Sequence, residues 1–159
     1  MTLTVPLFAN HTAGLTTVIL VRHAEKATDP GLEDPPLSAE GAARSRSLAS
    51  VLASSGVSVI YTTPYERTRQ TAAPLAAALS LTPVEVKAGA TYANDLAARI
   101  RAEHSGDTVL VVGHSNTTQD VIRALGIEDA PAIAESEFDY LFIVTIGTDV
   151  EPRLVTLHY

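Results

Sequence analysis

Two histidines and an arginine stand where two apolar segments end, and their types suit the binding of an anion. The apolar, β-branched residues 18–21 run directly into Arg22 and His23, and a similar run at 108–112 leads into His114. Such runs are typical of strands buried on both faces of a sheet. Arginine forks bind phosphate oxygens in pairs. The pattern therefore indicates a site for a phosphate-like anion at the strand ends.

Alternating strand and helix patterns must position these side chains. They predict a three-layer α/β/α sandwich with a mostly parallel sheet and antiparallel C-terminal edge strands. Pro74 is expected to kink or restart the second helix. The predicted strands are 18–21, 57–62, 81–87, 108–112, 138–146 and 153–159, and the predicted helices are 38–53, 64–80, 95–104 and 117–125.

Right-handed crossovers keep the first strands parallel, so their carboxyl ends should share one crevice. The second of these ends, Thr63-Pro64, is followed by Arg67 in the first turn of a helix. Arg22, Arg67 and the two histidines would then converge in a chain whose net charge is −7. Because such a cation cluster is unfavourable without a counter-charge, a bound phosphate is expected.

Four short motifs stand in order along the chain. They are Val-Arg-His-Ala-Glu-Lys at 21–26, Leu-Ser-x-x-Gly at 37–41, Tyr-Thr-Thr-Pro-x-x-Arg-Thr-x-Gln-Thr at 61–71 and Val-Gly-His at 112–114. Together they resemble the motifs of the histidine phosphatase superfamily, the phosphoglycerate-mutase-like group, and in particular its small single-domain branch. In this family the histidine of the first motif is usually followed by glycine, and Ala24 stands there instead.

The resemblance implies a phosphoric monoester hydrolase that works through a covalent phosphohistidine. His23 would be the nucleophile, Arg22 and Arg67 would clamp the phosphoryl oxygens, and His114 would stabilise their charge as an imidazolium. Cationic side chains would take the usual place of a metal, so no metal and no cofactor are expected. The pKa of His23 should be lowered by the neighbouring cations.

The general acid is left open by the sequence. The family usually places a carboxylate after the third strand, where this chain offers Glu85 in the strand and Asp95 at a helix start; Glu25 is a further candidate, and so are the acids of the loop 27–36. Ser115 and Asn116 follow the second histidine, where one can cap the helix and the other can contact substrate. The acidic loop should also disfavour highly anionic substrates.

Two other functions fit parts of the sequence. A serine hydrolase would use Ser115 in a nucleophile elbow, although its histidine would have to be His158 and the arginines would have no role. A non-catalytic phosphate-binding protein would keep the same pocket without an effective acid. A mutase returns the phosphoryl group to its substrate and needs a larger substrate-binding region than the connection 88–95 supplies, so this activity is less favoured. His11, His104 and His158 are expected at the surface or an edge.

Composition limits the remaining choices. The 159 residues predict one domain, 1–159, with residues 1–15 as a loosely docked lead-in. The chain has no cysteine, no basic run, no apolar segment long enough to span a membrane and no recognisable signal peptide, although a removed export signal stays open. We expect a cytoplasmic protein that binds neither nucleic acid nor membrane and acts on a phosphorylated small molecule or phosphoprotein. The oligomeric state is not readable.

Overall fold

A computed structural model describes residues 14–29 and 31–159. Most of the predicted lead-in, and His11 with it, lies outside these residues. The strands are β1 (Thr16–Arg22), β2 (Val57–Thr62), β3 (Val84–Glu85), β4 (Thr108–Gly113), β5 (Tyr140–Gly147) and β6 (Val150–His158). The helices are α1 (Ala39–Leu52), α2 (Glu66–Leu79), α3 (Tyr92–Glu103) and α4 (Ser115–Ala124). None of the helices in these residues is long and apolar enough to cross a membrane.

The strands form one sheet in the order β3-β2-β4-β1-β5-β6. Strands β3, β2, β4 and β1 pair in parallel, whereas β5 and β6 add an antiparallel hairpin at one edge. The parallel strands β2, β4 and β1 are neighbours, so their carboxyl ends meet at one edge of the sheet. This arrangement confirms the mostly parallel sheet with antiparallel edge strands.

Strand β1 shows how the sheet is covered on both faces. Its successive side chains point to opposite faces: Val18 and Leu20 pack with buried residues of α3 and α4, whereas Ile19 and Val21 pack with buried residues of α1 and α2. All four are at most 2% exposed. The continuous apolar run is therefore explained by two cores on either side of one sheet, which confirms the α/β/α sandwich.

Several elements differ from the sequence prediction, and three of these differences have a clear physical reason. The third strand is limited to Val84–Glu85 and pairs with β2 alone, because Pro83 lacks the N–H that a longer ladder would need. Helix α3 begins at the buried Tyr92, three residues before Asp95. Helix α2 continues through Pro74 without restarting, since Ala72 and Leu75 on either side are fully buried and hold it in place.

Helix α1 fixes the loop that follows the first histidine. Ser38 caps the helix by accepting a hydrogen bond from Gly41 N at 3.1 Å, and Ser38 N donates to Glu25 O at 2.9 Å. A Cβ at Gly41 would overlap the carbonyl oxygen of Glu25. The glycine of the second motif thus lets the helix start lie against the backbone next to His23.

Candidate active site

The pairing of β1 with β4 brings the two histidines together. His23 N donates to Gly113 O at 2.8 Å, which extends the ladder one residue beyond Arg22. The ring centroids of His23 and His114 are 5.4 Å apart in an edge-to-face arrangement. The structure therefore places both predicted histidines at adjacent parallel strand ends.

His23 is held as a neutral imidazole with one free nitrogen. Its Nδ1 lies 2.7 Å from Ala24 O, and because a carbonyl only accepts, Nδ1 carries the proton and Nε2 keeps its lone pair. Burial, and then the nearby His114, Arg22 and Arg67, lower the pKa of His23 to about 4. The direction confirms the prediction, but burial contributes more than the cations. A neutral Nε2 is the form that can act as a nucleophile.

The surroundings of His114 favour its neutral form before a phosphate binds. Its Nε2 lies 2.9 Å from Thr63 Oγ1, and its ring meets Tyr65 edge-on with centroids 5.2 Å apart. Burial, followed by the charges of Arg67 and Arg22, lowers the pKa of His114 to about 4. The predicted imidazolium concerns the complex with a transferring phosphoryl group, where a phosphate dianion would oppose the cations and favour protonation.

Arg22 is fixed in place by the loop that precedes β5. It is 5% exposed, and its Nη1 donates to the carbonyl oxygens of Ala134, Glu135 and Glu137 at 2.9–3.0 Å. Nη2 donates to Glu135 Oε2 at 3.1 Å, and the guanidinium carbon lies 4.2 Å from the centre of the Phe138 ring. Nε is buried without a partner. Such an orphaned donor is one that an anion at this site would satisfy.

Arg67 is held more loosely than Arg22. Its side chain is 17% exposed, and its Nη1 donates to Asp34 Oδ1 at a long 3.4 Å. Asp34 also accepts from Glu66 N at 3.0 Å, at the start of α2. The guanidinium carbon lies 4.4 Å from the centre of the Tyr65 ring. The predicted loop 27–36 therefore reaches the site through Asp34.

The three predicted acid candidates lie elsewhere. Glu25 is paired with Arg44, which donates from Nε at 2.8 and 3.0 Å and lowers the pKa of that carboxyl despite its partial burial. Glu85 is paired with Arg69 at 2.6 Å. Asp95 is exposed in the first turn of α3. In the described part of the chain, none of the three is hydrogen-bonded to His23 or His114, so the geometry supports none of them as the acid.

The two residues after His114 contact different parts of the protein. Ser115 Oγ donates to Glu135 Oε1 at 3.0 Å. Asn116 lines a cleft of about 630 Å³ between the start of α3 and α4, together with Asn94 and Asp120. The His158 that a serine hydrolase would need is bonded instead to Asp139 at 3.1 Å. The structure therefore does not assemble the predicted Ser115–His158 pair.

Sequence reasoning missed the aromatic and acidic neighbours of the arginines. Tyr65 and Phe138 each lie against one guanidinium, and Glu135 bridges Arg22 to Ser115. Tyr65 sits inside the third motif, which was a usable signal. Glu135 lies 113 residues from Arg22 in a loop without a motif, so the sequence gives no sign of the contact.

Two further side chains are withdrawn from solvent at the ends of α3. The His104 side chain is 12% exposed, with Nε2 2.7 Å from Tyr61 Oη and Nδ1 3.1 Å from Asp107 Oδ2, so this histidine follows the helix end as a half-buried residue. Tyr92 is buried in the core and also lines the cleft beside α4. Within residues 14–29 and 31–159, no three His, Asp or Glu side chains are arranged to hold a metal ion.

Comparison with known proteins agrees with this arrangement. The sequence model of the family described as histidine phosphatase superfamily (branch 1) matches residues 18–90. This match confirms the predicted resemblance for the part of the chain that carries His23 and Arg67. His114 lies outside the matched residues and is brought to the site by the fold. A search of curated protein sequences returned no significant match.

Solved structures share the fold at low sequence identity. The protein histidine phosphatase SixA complexed with tungstate superposes with a TM-score of 0.73 at 19% identity, covering 89% of this chain and 96% of that one. A structure from Agrobacterium tumefaciens that is assigned as the phosphohistidine phosphatase SixA gives a TM-score of 0.70 at 24% identity, covering 90% of this chain and 98% of that one. A structure from Escherichia coli that is assigned as an α-ribazole-5′-phosphate phosphatase gives 0.71 at 15% identity, covering 91% and 96%. The fold is that of the phosphoglycerate-mutase-like phosphatases.

Proposed function

We propose that this protein is a phosphatase that transfers the phosphoryl group of its substrate to His23 and then to water. The observation that carries the proposal is the neutral His23, whose Nδ1 proton is committed to Ala24 O, while His114, Arg22 and Arg67 are close enough for their charges to lower its pKa. Phosphoryl transfer depends mainly on positioning and on neutralising charge. These four side chains offer both without a metal.

The reaction proceeds in two displacements. Nε2 of His23 attacks phosphorus, the Nε2–P bond forms, and the bond between phosphorus and the leaving group breaks as the leaving group takes a proton from solvent. Water then attacks the phosphohistidine and gives a proton to solvent, the P–N bond breaks with its electron pair returning to Nε2, and inorganic phosphate leaves. Arg22 and Arg67 hold the phosphoryl oxygens through both steps, and His114 becomes protonated when the phosphate charge arrives.

Phosphohistidine in a protein is the substrate we favour. No candidate acid in the described residues is hydrogen-bonded to either histidine, and an imidazole leaving group needs less protonation than an alkoxide. Two of the superposed structures are described as phosphohistidine phosphatases. A phosphomonoester with a good leaving group would turn over by the same steps, whereas return of the phosphoryl group to the substrate is less favoured.

The test is hydrolysis of p-nitrophenyl phosphate in chelator-treated buffer. We expect turnover in the wild type, inhibition by vanadate, and loss of activity by at least about 10³-fold in His23→Ala. Ser115→Ala is the matched control and should retain turnover, because His23, His114 and both arginines are unchanged. Loss of p-nitrophenyl acetate hydrolysis in Ser115→Ala would instead support a serine hydrolase.

A non-catalytic phosphate-binding protein is the second candidate. It is favoured by one observation, the pairing of Glu25 and Glu85 with Arg44 and Arg69 away from the histidines. An inert wild type that binds vanadate tightly, and that also fails to hydrolyse a phosphohistidine peptide, would establish this alternative.

A further inference from the structure

The loop 128–139, between α4 and β5, places a carboxylate among the proposed phosphate ligands. Glu135 Oε2 accepts from Arg22 Nη2 at 3.1 Å, and Oε1 accepts from Ser115 Oγ at 3.0 Å. One carboxylate thus joins the end of β1 to the start of α4. Arg22 is one of the groups that a phosphate at His23 is proposed to use, and Ser115 is a residue that the sequence offers for substrate contact.

The Glu135 carboxylate is exposed although its partner is buried. The Glu135 side chain is 85% exposed, compared with 5% for Arg22. The hydrogen bond from Ser115 and the charge of Arg22 lower the pKa of Glu135, so it is ionised near neutral pH. An ionised, exposed carboxylate is free to swing out to water, where it is well solvated.

The loop backbone is anchored separately from the carboxylate. Arg22 Nη1 donates to the carbonyl oxygens of Ala134, Glu135 and Glu137. Those bonds do not involve the Glu135 side chain, so the loop can stay in place while the carboxylate moves. Arg22 Nε, buried and without a partner, shows that Glu135 satisfies the guanidinium only in part.

We propose that Glu135 sets the anion affinity of the site by competing, as a tethered carboxylate, with the substrate phosphate for Arg22 and Ser115. The inference rests on the proposed function, because it assumes that phosphate binds these two residues. A phosphate must displace the carboxylate before it gains both contacts. The Glu135 carboxylate therefore weakens the binding of all anions that use Arg22, including the inorganic phosphate that the reaction releases.

The experiment compares Glu135→Gln with wild type, using Glu137→Gln as the matched control. Glu137 carries the same charge on the same loop, but its carboxylate accepts from Ala134 N at 2.7 Å and not from Arg22. In Glu135→Gln we expect the inhibition constants of phosphate and vanadate, and KM for p-nitrophenyl phosphate, to fall about two- to fivefold, the range for breaking one exposed ion pair. The control should stay at wild-type values, and kcat should not fall.

Unchanged or weaker phosphate binding in Glu135→Gln would overturn the inference, because the carboxylate would then be positioning Arg22 rather than competing for it. A fall in kcat at unchanged phosphate affinity would also overturn it and would assign Glu135 to proton transfer. The proposed function fails by a different result, the persistence of hydrolysis in His23→Ala. Phosphate binding measured by calorimetry needs no turnover, so the two failures are distinguishable.

Discussion

The two arginines beside His23 are held in opposite ways. Arg22 is almost fully buried, and its Nη1 donates hydrogen bonds to three carbonyl oxygens. The Arg67 side chain is 17% exposed and makes a single contact with a carboxylate, at 3.4 Å. Each guanidinium nevertheless lies against an aromatic ring, Phe138 or Tyr65. The difference indicates that Arg22 is preorganised by the fold and that Arg67 adjusts when a ligand arrives.

Preorganisation links the site to the stability of one loop. The carbonyl oxygens that hold Arg22 belong to the segment just before β5, so removing the guanidinium leaves several acceptors without a donor. These bonds are only partly buried, so their loss should weaken the loop without removing water from the acceptors. Arg67 has no such role, because Glu66 N already bonds Asp34 at the start of α2. The two arginines should therefore be separable by experiment.

Of the variants that separate the two arginines, Arg22→Ala is expected to have the largest effect on activity and stability. It should lower kcat/KM by about 10²- to 10³-fold, the range for losing one charge-stabilising group. It should also lower Tm, since the loop acceptors lose their partner. Steady-state kinetics and thermal unfolding measure both. An unchanged Tm would contradict the structural part of the role.

Arg67→Ala should lose activity with little loss of stability. We expect kcat/KM to fall by about 10- to 100-fold, while Tm stays close to wild type because its ion pair with Asp34 is long and partly exposed. Arg67→Lys is the control that keeps the positive charge but lacks the paired N–H donors of a guanidinium. It should recover part of the lost kcat/KM. A fall in Tm as large as that of Arg22→Ala would remove the distinction between the arginines.

The two histidines predict a pH dependence of stability. Both have folded-state pKa values of about 4, below the ordinary value near 6.5. The unfolded chain therefore binds more protons than the folded chain between about pH 4 and 6.5, so stability is present above 6.5 and is lost as pH falls through this window. Saturating phosphate should reduce the loss, because it favours protonated His114.

Thermal unfolding of wild type, His23→Asn and His114→Asn from pH 4 to 7 measures this effect. Each variant should show a shallower fall in Tm toward acid pH than the wild type. Equal slopes in all three proteins would show that other groups control acid unfolding.

Asp34→Asn should give the smallest change. An amide oxygen can still accept from Glu66 N, so the start of α2 should remain capped. The loss of charge beside Arg67 should raise kcat/KM about two- to threefold for a monoester, and more for a polyphosphorylated substrate. Comparing the two substrates in wild type and variant tests this, and an unchanged ratio would contradict the predicted discrimination by the acidic loop.

The fold was predictable where burial leaves a simple pattern. The apolar run of β1 and the glycines at the ends of helices gave the sandwich and the order of its elements. The two-residue β3 and the start of α3 were not predictable, because they depend on Pro83 at a sheet edge and on the burial of Tyr92. Local propensity carries no information about such tertiary contacts.

The site was predictable at strand ends and not in loops. Arg22, His23, Arg67 and His114 follow recognisable elements, and parallel strands bring them together. The low pKa of His114 was not predicted, because desolvation cannot be read from the sequence. Glu135 and Phe138 reach Arg22 only through the path of the loop before β5, which no motif records.

Detection of a phosphoenzyme tests the mechanism most directly. The wild type would be mixed rapidly with p-nitrophenyl phosphate, quenched in alkali, where phosphohistidine survives, and digested for mass spectrometry, with His23→Ala as the control. We predict an acid-labile phosphoryl group on the peptide that contains His23, and none in the variant. Turnover with no phosphorylated His23 peptide, or with the label on Ser115, would contradict transfer through His23.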